Sequence, residues 1–396
     1  MTNCPLCQSA QFTEVFAVGK VPASANVPLT ESNFASEVFG ELDVVMCKNC
    51  SHVFNSKFDI EVINRMYSQN YSSGLPNSEA VKAAMQNIAE HAIGTANIAV
   101  DTVLEIGASD FAFSKLMLNL GARRVIAFEP SALFKVDDTR IQHVHGYFNS
   151  EAVHALGNPA IQLAVVRHVL EHVPAPRAFL KQLANSLQMG ARLYIEVPNL
   201  EDILRNSRVY DFFYEHLHYF SPQLLQSILE QAGFEVEKFS EHKGGQHFGL
   251  LCRKVCAHPE QITPLSKTIE PARLERIARL KENVVHLKQA LGAIFAKSSQ
   301  VAIYGAGNHA VAVTVMMDLT SKQVGCLFDL DDLKTGRFSP MSHIVIRKPT
   351  TESVKEFETI IIIAALHEPE IHRHLRKRYG FAGTIVGTHP AVRNLE

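Results

Sequence analysis

Apolar and polar positions fall into distinct patterns along this chain. Phe12 to Val18 and Val38 to Met46 alternate, as strands with one buried face do, and predict a small antiparallel sheet. From Thr102 onward short apolar runs take over: Thr102 to Ile106, Arg124 to Phe128, Ile161 to Val166 and Arg192 to Pro198. Helical patterns lie between them, from Phe111 to Leu120 and from Arg177 to Leu187. Strands alternating with helices predict a parallel sheet whose ligand sits beyond the strands' carboxyl ends. Ser221 as N-cap and Pro222 at the first helical position start a further helix, whose apolar face is Leu224, Leu225, Ile228 and Leu229 and which ends at Gly233. Phe234 to Phe239 and Phe248 to Cys252 then alternate as a hairpin that would close the sheet.

Glu61 to Gly94 reads as helical with Gly94 as C-cap, although the run Met66 to Gly74 interrupts the periodicity. Tyr67 and Tyr71 in that run either line a pocket or are buried in a linker. Further on, Ile277, Leu280, Val284, Leu287, Leu291 and Ile294 form the stripe of one long helix, Ile269 to Ala296. Val301 to Tyr304 then runs into Gly305-Ala306-Gly307-Asn308, a strand, a glycine turn and a helix start. A strand ending at Asp329, with Ile360 to Ala364 and Gly383 to Val386, would complete a second parallel sheet.

A chain of 396 residues is too long for one ordinary core, so two or three domains are expected. The net charge of −2, with no basic block, argues against a nucleic-acid partner and leaves a small-molecule substrate as the expectation. No apolar run approaches the roughly 20 residues of a bilayer span, and the N-terminus has no signal pattern, so no membrane partner and a cytoplasmic location are expected. Nothing in the pattern sets an oligomeric state. Four of the seven cysteines form two CxxC pairs, Cys4/Cys7 and Cys47/Cys50. Two such knuckles make a closed tetrahedral Cys4 set, the pattern of structural zinc. His52 reads as a surface histidine, and Cys252, Cys256 and Cys326 as small buried groups.

Chemistry-bearing residues gather at the predicted strand ends. Gly107 follows Glu105-Ile106, where a glycine lets a ligand approach the backbone at a helix start, and Ala108-Ser109-Asp110 follow it. Glu129-Pro130 ends the next strand, at the offset where an acidic side chain accepts ribose hydroxyls. Arg167-His168-Val169-Leu170-Glu171-His172-Val173 ends the third. The densest group is Tyr214-Glu215-His216-Leu217-His218-Tyr219-Phe220-Ser221, directly before a helix start. A catalytic loop and a satisfied polar loop both fit this stretch alone.

CxxC…CxxC, then VLEIGxxD, FEPS, HVLEHV, IEVP, EHxxYFS and the glycine pair 244/245 make the chain resemble the three-domain sugar C-methyltransferases, which use S-adenosylmethionine (SAM) on nucleotide-linked keto sugars. The resemblance implies an α/β fold with a central Class I methyltransferase sheet, a small N-terminal zinc-binding module and a second, C-terminal Rossmann-like domain. The corresponding boundaries are 1–60 for the zinc module, 61–95 for a helical connector, 96–260 for the SAM-binding domain and 261–396 for the long helix and substrate domain. It further implies Gly107 and Asp110 on the methionine side of SAM and Glu129 on its ribose, with Glu105, Pro130, Arg167 and His168 also assigned to the cofactor site. His216 would be the base that forms an enolate. Glu215 would orient or bind the sugar, Tyr71 would donate to the enolate oxygen, and Tyr214 is adjacent to position 213, where a further hydroxyl is expected. Lys334, Arg337 or His309 would meet a diphosphate.

The chain departs from that pattern at three places. Phe111 follows the first-loop aspartate where a glycine is common, which predicts a differently shaped loop. Phe213 stands where a tyrosine is common, and Gly244-Gly245-Gln246-His247-Phe248 lacks an arginine. Two other functions stay in view, an O- or N-methyltransferase acting on another small molecule and a non-catalytic protein that binds SAM or a nucleotide sugar.

Overall fold

The computed structural model describes residues 3–68, 79–96, 100–131, 133, 135–256, 271–298, 300–389 and 391–396. Tyr71 lies outside the described residues. The described residues form three sheets.

The first is four-stranded. Phe12–Pro22 pairs antiparallel with Phe39–Cys47, which pairs with Val53–Asn55. Its fourth strand, His218–Tyr219, arrives from a loop of the central domain and pairs antiparallel with Val53 and Phe54. The sequence pattern gives no hint of this, because two residues carry no period. His52 is accordingly not on the surface. It is fully buried, and its Nε2 lies 2.9 Å from His218 Nδ1.

After this sheet come the helices Ile60–Ser68 and Glu79–Ala96. The second passes Gly94 rather than capping there, since glycine is a poor helix residue but not an obligatory stop.

The central sheet has seven strands in the order Phe234–His242, His247–Lys254, Arg192–Pro198, Leu163–Arg167, Thr102–Ile106, Arg124–Glu129, Ile141–His145. The last five are parallel, and the hairpin strand His247–Lys254 pairs antiparallel with Arg192–Pro198. This is the Class I methyltransferase arrangement that the resemblance implies. Chain order reverses at Thr102–Ile106, which lies between Arg124–Glu129 and Leu163–Arg167. That reversal opens a crevice at the carboxyl ends. The strand Ile141–His145 went unforeseen because its edge position leaves it a mixed polar sequence.

Phe111 resolves one departure. Its φ is +59°, the left-handed conformation that glycine adopts freely, and its ring is fully buried. The left-handed backbone costs about 1–2 kcal/mol. Burying a large apolar side chain contributes about 1.5–3 kcal/mol, so the loop tolerates the side chain.

The C-terminal sheet has the order Ile346–Arg347, Cys326–Phe328, Val301–Tyr304, Thr359–Ile362, Thr384–Gly387, Arg393–Asn394, parallel except for the last pair. The long helix Pro271–Lys297 leads into it, and two of its arginines, Arg273 and Arg276, bond Glu201 of the central domain. Asp211 of the central domain accepts from Arg208 at 2.6 Å and lies 3.0 Å from His309 Nε2 of the C-terminal domain. Glu37, just before the first sheet's strand Phe39–Cys47, takes Met341 N–H at 2.6 Å and meets His343 at 3.0 Å. The three sheets are therefore tied by polar contacts between buried or half-buried side chains as well as by a shared apolar core.

Candidate active site

A cavity of about 450 Å³ lies at the carboxyl ends of the central strands. One end is formed by Gly107, Ser109, Glu129 and Pro130, the other by His168, His172 and Glu215, with the helix Ile60–Ser68 over it. Gly107 has φ +79°, and a Cβ there would lie 2.4 Å from Val169 Cγ2. Only glycine fits this turn.

Glu129 is 7% exposed, and its two carboxylate oxygens accept Ser109 N–H at 2.7 Å and Ser131 N–H at 2.8 Å. A carboxylate has about four acceptor positions, so it can hold these amides and still accept vicinal hydroxyls. Its placement and the tight glycine turn fit the ribose and the extended tail of SAM. Pro130 and His168 line the cavity as well, whereas Glu105, Asp110 and Arg167 lie outside its lining. Glu105 is buried in its strand, accepts Ser114 Oγ–H, and is pushed up by burial to about 7. Asp110 is exposed and caps Ala112 N–H at 3.1 Å, outside the cavity lining. Arg167 donates from Nε to Glu196 at 2.7 Å and lies over the Phe113 ring.

At the other end, two groups of titratable side chains meet. His168, at φ +53°, stands 3.4 Å from Glu196 Oε1 and 3.5 Å from Glu171 Oε1. Burial disfavours its protonation, but the two carboxylates outweigh burial and the imidazole is raised above its ordinary value. His247 Nδ1 completes this group, 3.6 Å from Glu196.

In the second group a carboxylate oxygen of Glu171, a ring nitrogen of His172 and one of His216 lie within 4.8 Å of one another. His172 Nδ1 lies 2.7 Å from the carbonyl oxygen of Glu215. An imidazole bonded to a carbonyl must donate, so in the neutral ring Nε2 is left as an acceptor. The His216 ring is 4.9 Å from His172 and 4.0 Å from Phe213, and burial together with His172 pushes it down to about 3. Glu215 Oε2 accepts Ala25 N–H at 3.3 Å.

Of the expected catalytic set, Glu215 lines the cavity and His216 adjoins it through His172. Tyr214 does not join them. Its hydroxyl accepts Asp59 N–H at 2.8 Å and donates to Asp59 O at 3.1 Å, while its buried ring packs on Phe58 and Gly40. The hydroxyl is used in the first domain's core because residue 214 turns away from the cleft. Glu171 and His172 were not among the expected site residues. The signal is the acidic and basic pair inside HVLEHV, placed at a strand end by the sequence but given no role of its own there.

In the C-terminal domain, Asp329 Oδ2 accepts Ala306 N–H at 3.0 Å, and Lys334 Nζ bonds Asp329 at 3.3 Å and Ala306 O at 3.2 Å. The carboxylate at this second strand end is thus capped by a lysine, unlike Glu129. Lys334 and His309 already have partners, and Arg337 is exposed.

Cys4, Cys7, Cys47 and Cys50 come together, with Cys4 Sγ 3.6 Å from Cys50 Sγ and Cys7 Sγ 3.5 Å from Cys47 Sγ. Zn–S bonds of about 2.3 Å place tetrahedral corners about 3.8 Å apart. The sulfurs fit such an ion, and Asn49 N–H points to Cys47 Sγ at 3.4 Å as a supporting donor.

Residues 78–238 match the model of a methyltransferase domain, and residues 269–390 match that of a C-methyltransferase C-terminal domain. C-methyltransferase NovU of Streptomyces niveus is 22% identical over 387 residues, which cover 93% of this chain and 91% of that protein. N-methyltransferase NodS of Bradyrhizobium japonicum, solved with S-adenosyl-L-homocysteine, is 12% identical with a TM-score of 0.37, covering 48% of this chain and 97% of that one. The 1,6-didemethyltoxoflavin-N1-methyltransferase of Burkholderia thailandensis is 15% identical with a TM-score of 0.38, covering 52% and 96%. Together the two matched domains and the near full-length relative identify the chain as a SAM-dependent methyltransferase in which a methyltransferase domain is followed by a C-methyltransferase C-terminal domain.

Proposed function

We propose that this enzyme methylates a carbon of a nucleotide-linked deoxy-keto sugar through an enolate. The observation that carries the reading is the pair of imidazoles, His172 and His216, beside the buried Glu171, next to the cavity whose far end is Gly107 and Glu129. A carbon nucleophile requires loss of a proton beside a ketone, and imidazole is the usual base for such a step. His216 takes that proton. Its low proton affinity keeps the ring neutral at physiological pH, so its lone pair is free to accept. Glu215 orients the sugar, and Tyr71 donates to the enolate oxygen. SAM supplies an electrophilic methyl on its sulfonium. Gly107 and Glu129 then serve orientation, aligning carbon and methyl.

The C-terminal domain holds the nucleotide, with Lys334, Arg337 and His309 facing its diphosphate. Binding there exchanges existing partners, since His309 now meets Asp211 and Lys334 meets Asp329. The four cysteines hold one structural zinc ion.

Keto-sugar nucleotides incubated with methyl-labelled SAM should gain one labelled methyl on carbon, read by mass. Without SAM, solvent deuterium should wash into the carbon beside the ketone. An O- or N-methyltransferase shows no such exchange, and a binding protein transfers no methyl to any keto-sugar nucleotide. His216→Ala should keep SAM affinity and lose roughly 10²–10⁴-fold in rate. A rate close to wild type would remove His216 as the base.

A further inference from the structure

We propose that Glu171 is the positioning residue of this proton transfer, the buried counter-charge that holds the His172–His216 pair ready to receive the substrate's proton. The inference rests on the histidine-base reading above.

Glu171 is fully buried in the turn Leu170–His172, and neither of its carboxylate oxygens has a hydrogen-bond partner among the described residues. Its nearest cationic partner, His168, is shared with Glu196, so the carboxylate is only partly compensated, and burying charge costs several kcal/mol. What surrounds it is imidazole: His168 Nδ1 at 3.5 Å, with ring nitrogens of His172 and His216 inside the 4.8 Å group. His218 stands further off, with its Nε2 on Val173 O at 2.9 Å and its Nδ1 on His52. On the far side of His168 lies Glu196, held by Arg167 and flanked by His247. Asp211 also bears on His216 from the domain boundary.

Charge assignment follows from this layout. Arg167 and His168 serve Glu196, and His168 is shared with Glu171. When a proton moves from the substrate carbon to His216, the C–H electron pair passes into the enolate and a positive imidazolium forms in the cleft wall. Burial and His172 both oppose that charge, and Glu171 favours it more than any other neighbouring group. His172 is fixed by its bond to the Glu215 carbonyl, with a ring nitrogen in the same group as Glu171 and His216. A carboxylate whose oxygens face these two imidazoles is therefore suited to a state that exists only during turnover.

The test uses the full chain, a keto-sugar nucleotide and D₂O without SAM. Glu171→Gln keeps the shape and removes the charge. Its wash-in rate should fall about 10–100-fold at neutral pH, with the KM for the sugar nucleotide and the affinity for SAM within about threefold of wild type. The acid-side limb of its pH profile should move to lower pH, because loss of a nearby carboxylate lowers imidazole affinity for protons. Glu171→Asp should recover part of the lost rate. If Glu171→Gln does not fold, Glu171→Asp decides: a rate reduced about tenfold with the limb retained supports the role, and an unchanged rate overturns it. Glu171→Gln with unchanged rate and limb, while His216→Ala abolishes exchange, overturns the role and leaves the base standing. Exchange that survives His216→Ala removes both.

Discussion

Gly107 shows how a single residue separates backbone strain from a ligand's need for space. Its φ of +79° is nearly that of Gly157 at +85°, yet a Cβ at 107 meets Val169 Cγ2 at 2.4 Å and one at 157 meets nothing within 4 Å. Alanine at either site meets the same left-handed penalty of about 1–2 kcal/mol. Gly107→Ala should add a clash that pushes Val169, a cavity residue, and so lower SAM affinity by about tenfold or more; Gly157→Ala should leave it within twofold. Titration calorimetry with S-adenosyl-L-homocysteine reads the difference, and equal affinities would mean that Val169 moves aside at no cost. Gly107 and Glu129 were legible in the sequence because strand, turn and helix are local patterns. Glu171 was legible only as a letter in a motif, since what makes it unusual is burial without a hydrogen-bond partner among the described residues. His52 was misread for a similar reason: its partner His218 is 166 residues away, and no local pattern announces that pairing.

At the scale of elements, the loop that carries His216 does not belong to one domain. Its His218–Tyr219 strand completes the N-terminal sheet by pairing with Val53 and Phe54, which follow directly on Cys47 and Cys50. Cys47 N–H also bonds His52 O at 2.8 Å, so the knuckle and the strand are one hydrogen-bonded unit. A zinc ion held there would thus fix the register of the loop bearing the base. Metal analysis should find one ion per chain. Cys47→Ser, or chelation, should raise hydrogen exchange in both Val53–Asn55 and residues 213–219, and should slow deuterium wash-in with little effect on SAM binding, which uses the other end of the cavity. Exchange confined to the N-terminal strands would break this link. The two large sheets were readable from alternation of apolar runs and helices. This joint strand was not, because two residues carry no period and its partner strand is three residues long.

For the whole molecule, the histidines that crowd the cleft and the domain joint set its response to acid. His216 is pushed down to about 3, and His218 and His247 to about 4, in each case first by burial. In the unfolded chain all three titrate near 6.5. Above that pH neither state binds the proton, so they do not affect stability. Below it the unfolded chain takes up protons that the folded chain refuses, at about 1.4 kcal/mol per pH unit for each group. Stability is therefore lost progressively between pH 6.5 and 4. His168 and Glu105 work the other way, because their raised affinities favour the folded state as the pH falls, but they are two groups against six, since His52, His242 and His389 are lowered by burial as well. Glu171, lowered to about 2 although burial alone would raise it, extends the loss below pH 4.5 as its unfolded counterpart protonates. Scanning calorimetry from pH 7.5 to 4.5 should show the transition temperature falling steadily below 6.5. In His247→Gln, which removes one titrating ring from beside Glu196, the fall should be shallower, since one of the proton-refusing groups is gone. A transition temperature that stays level from pH 7 to 5 would mean that these imidazoles are hydrated enough to take up protons in the folded cleft, and His216 would then be a stronger base than its surroundings imply.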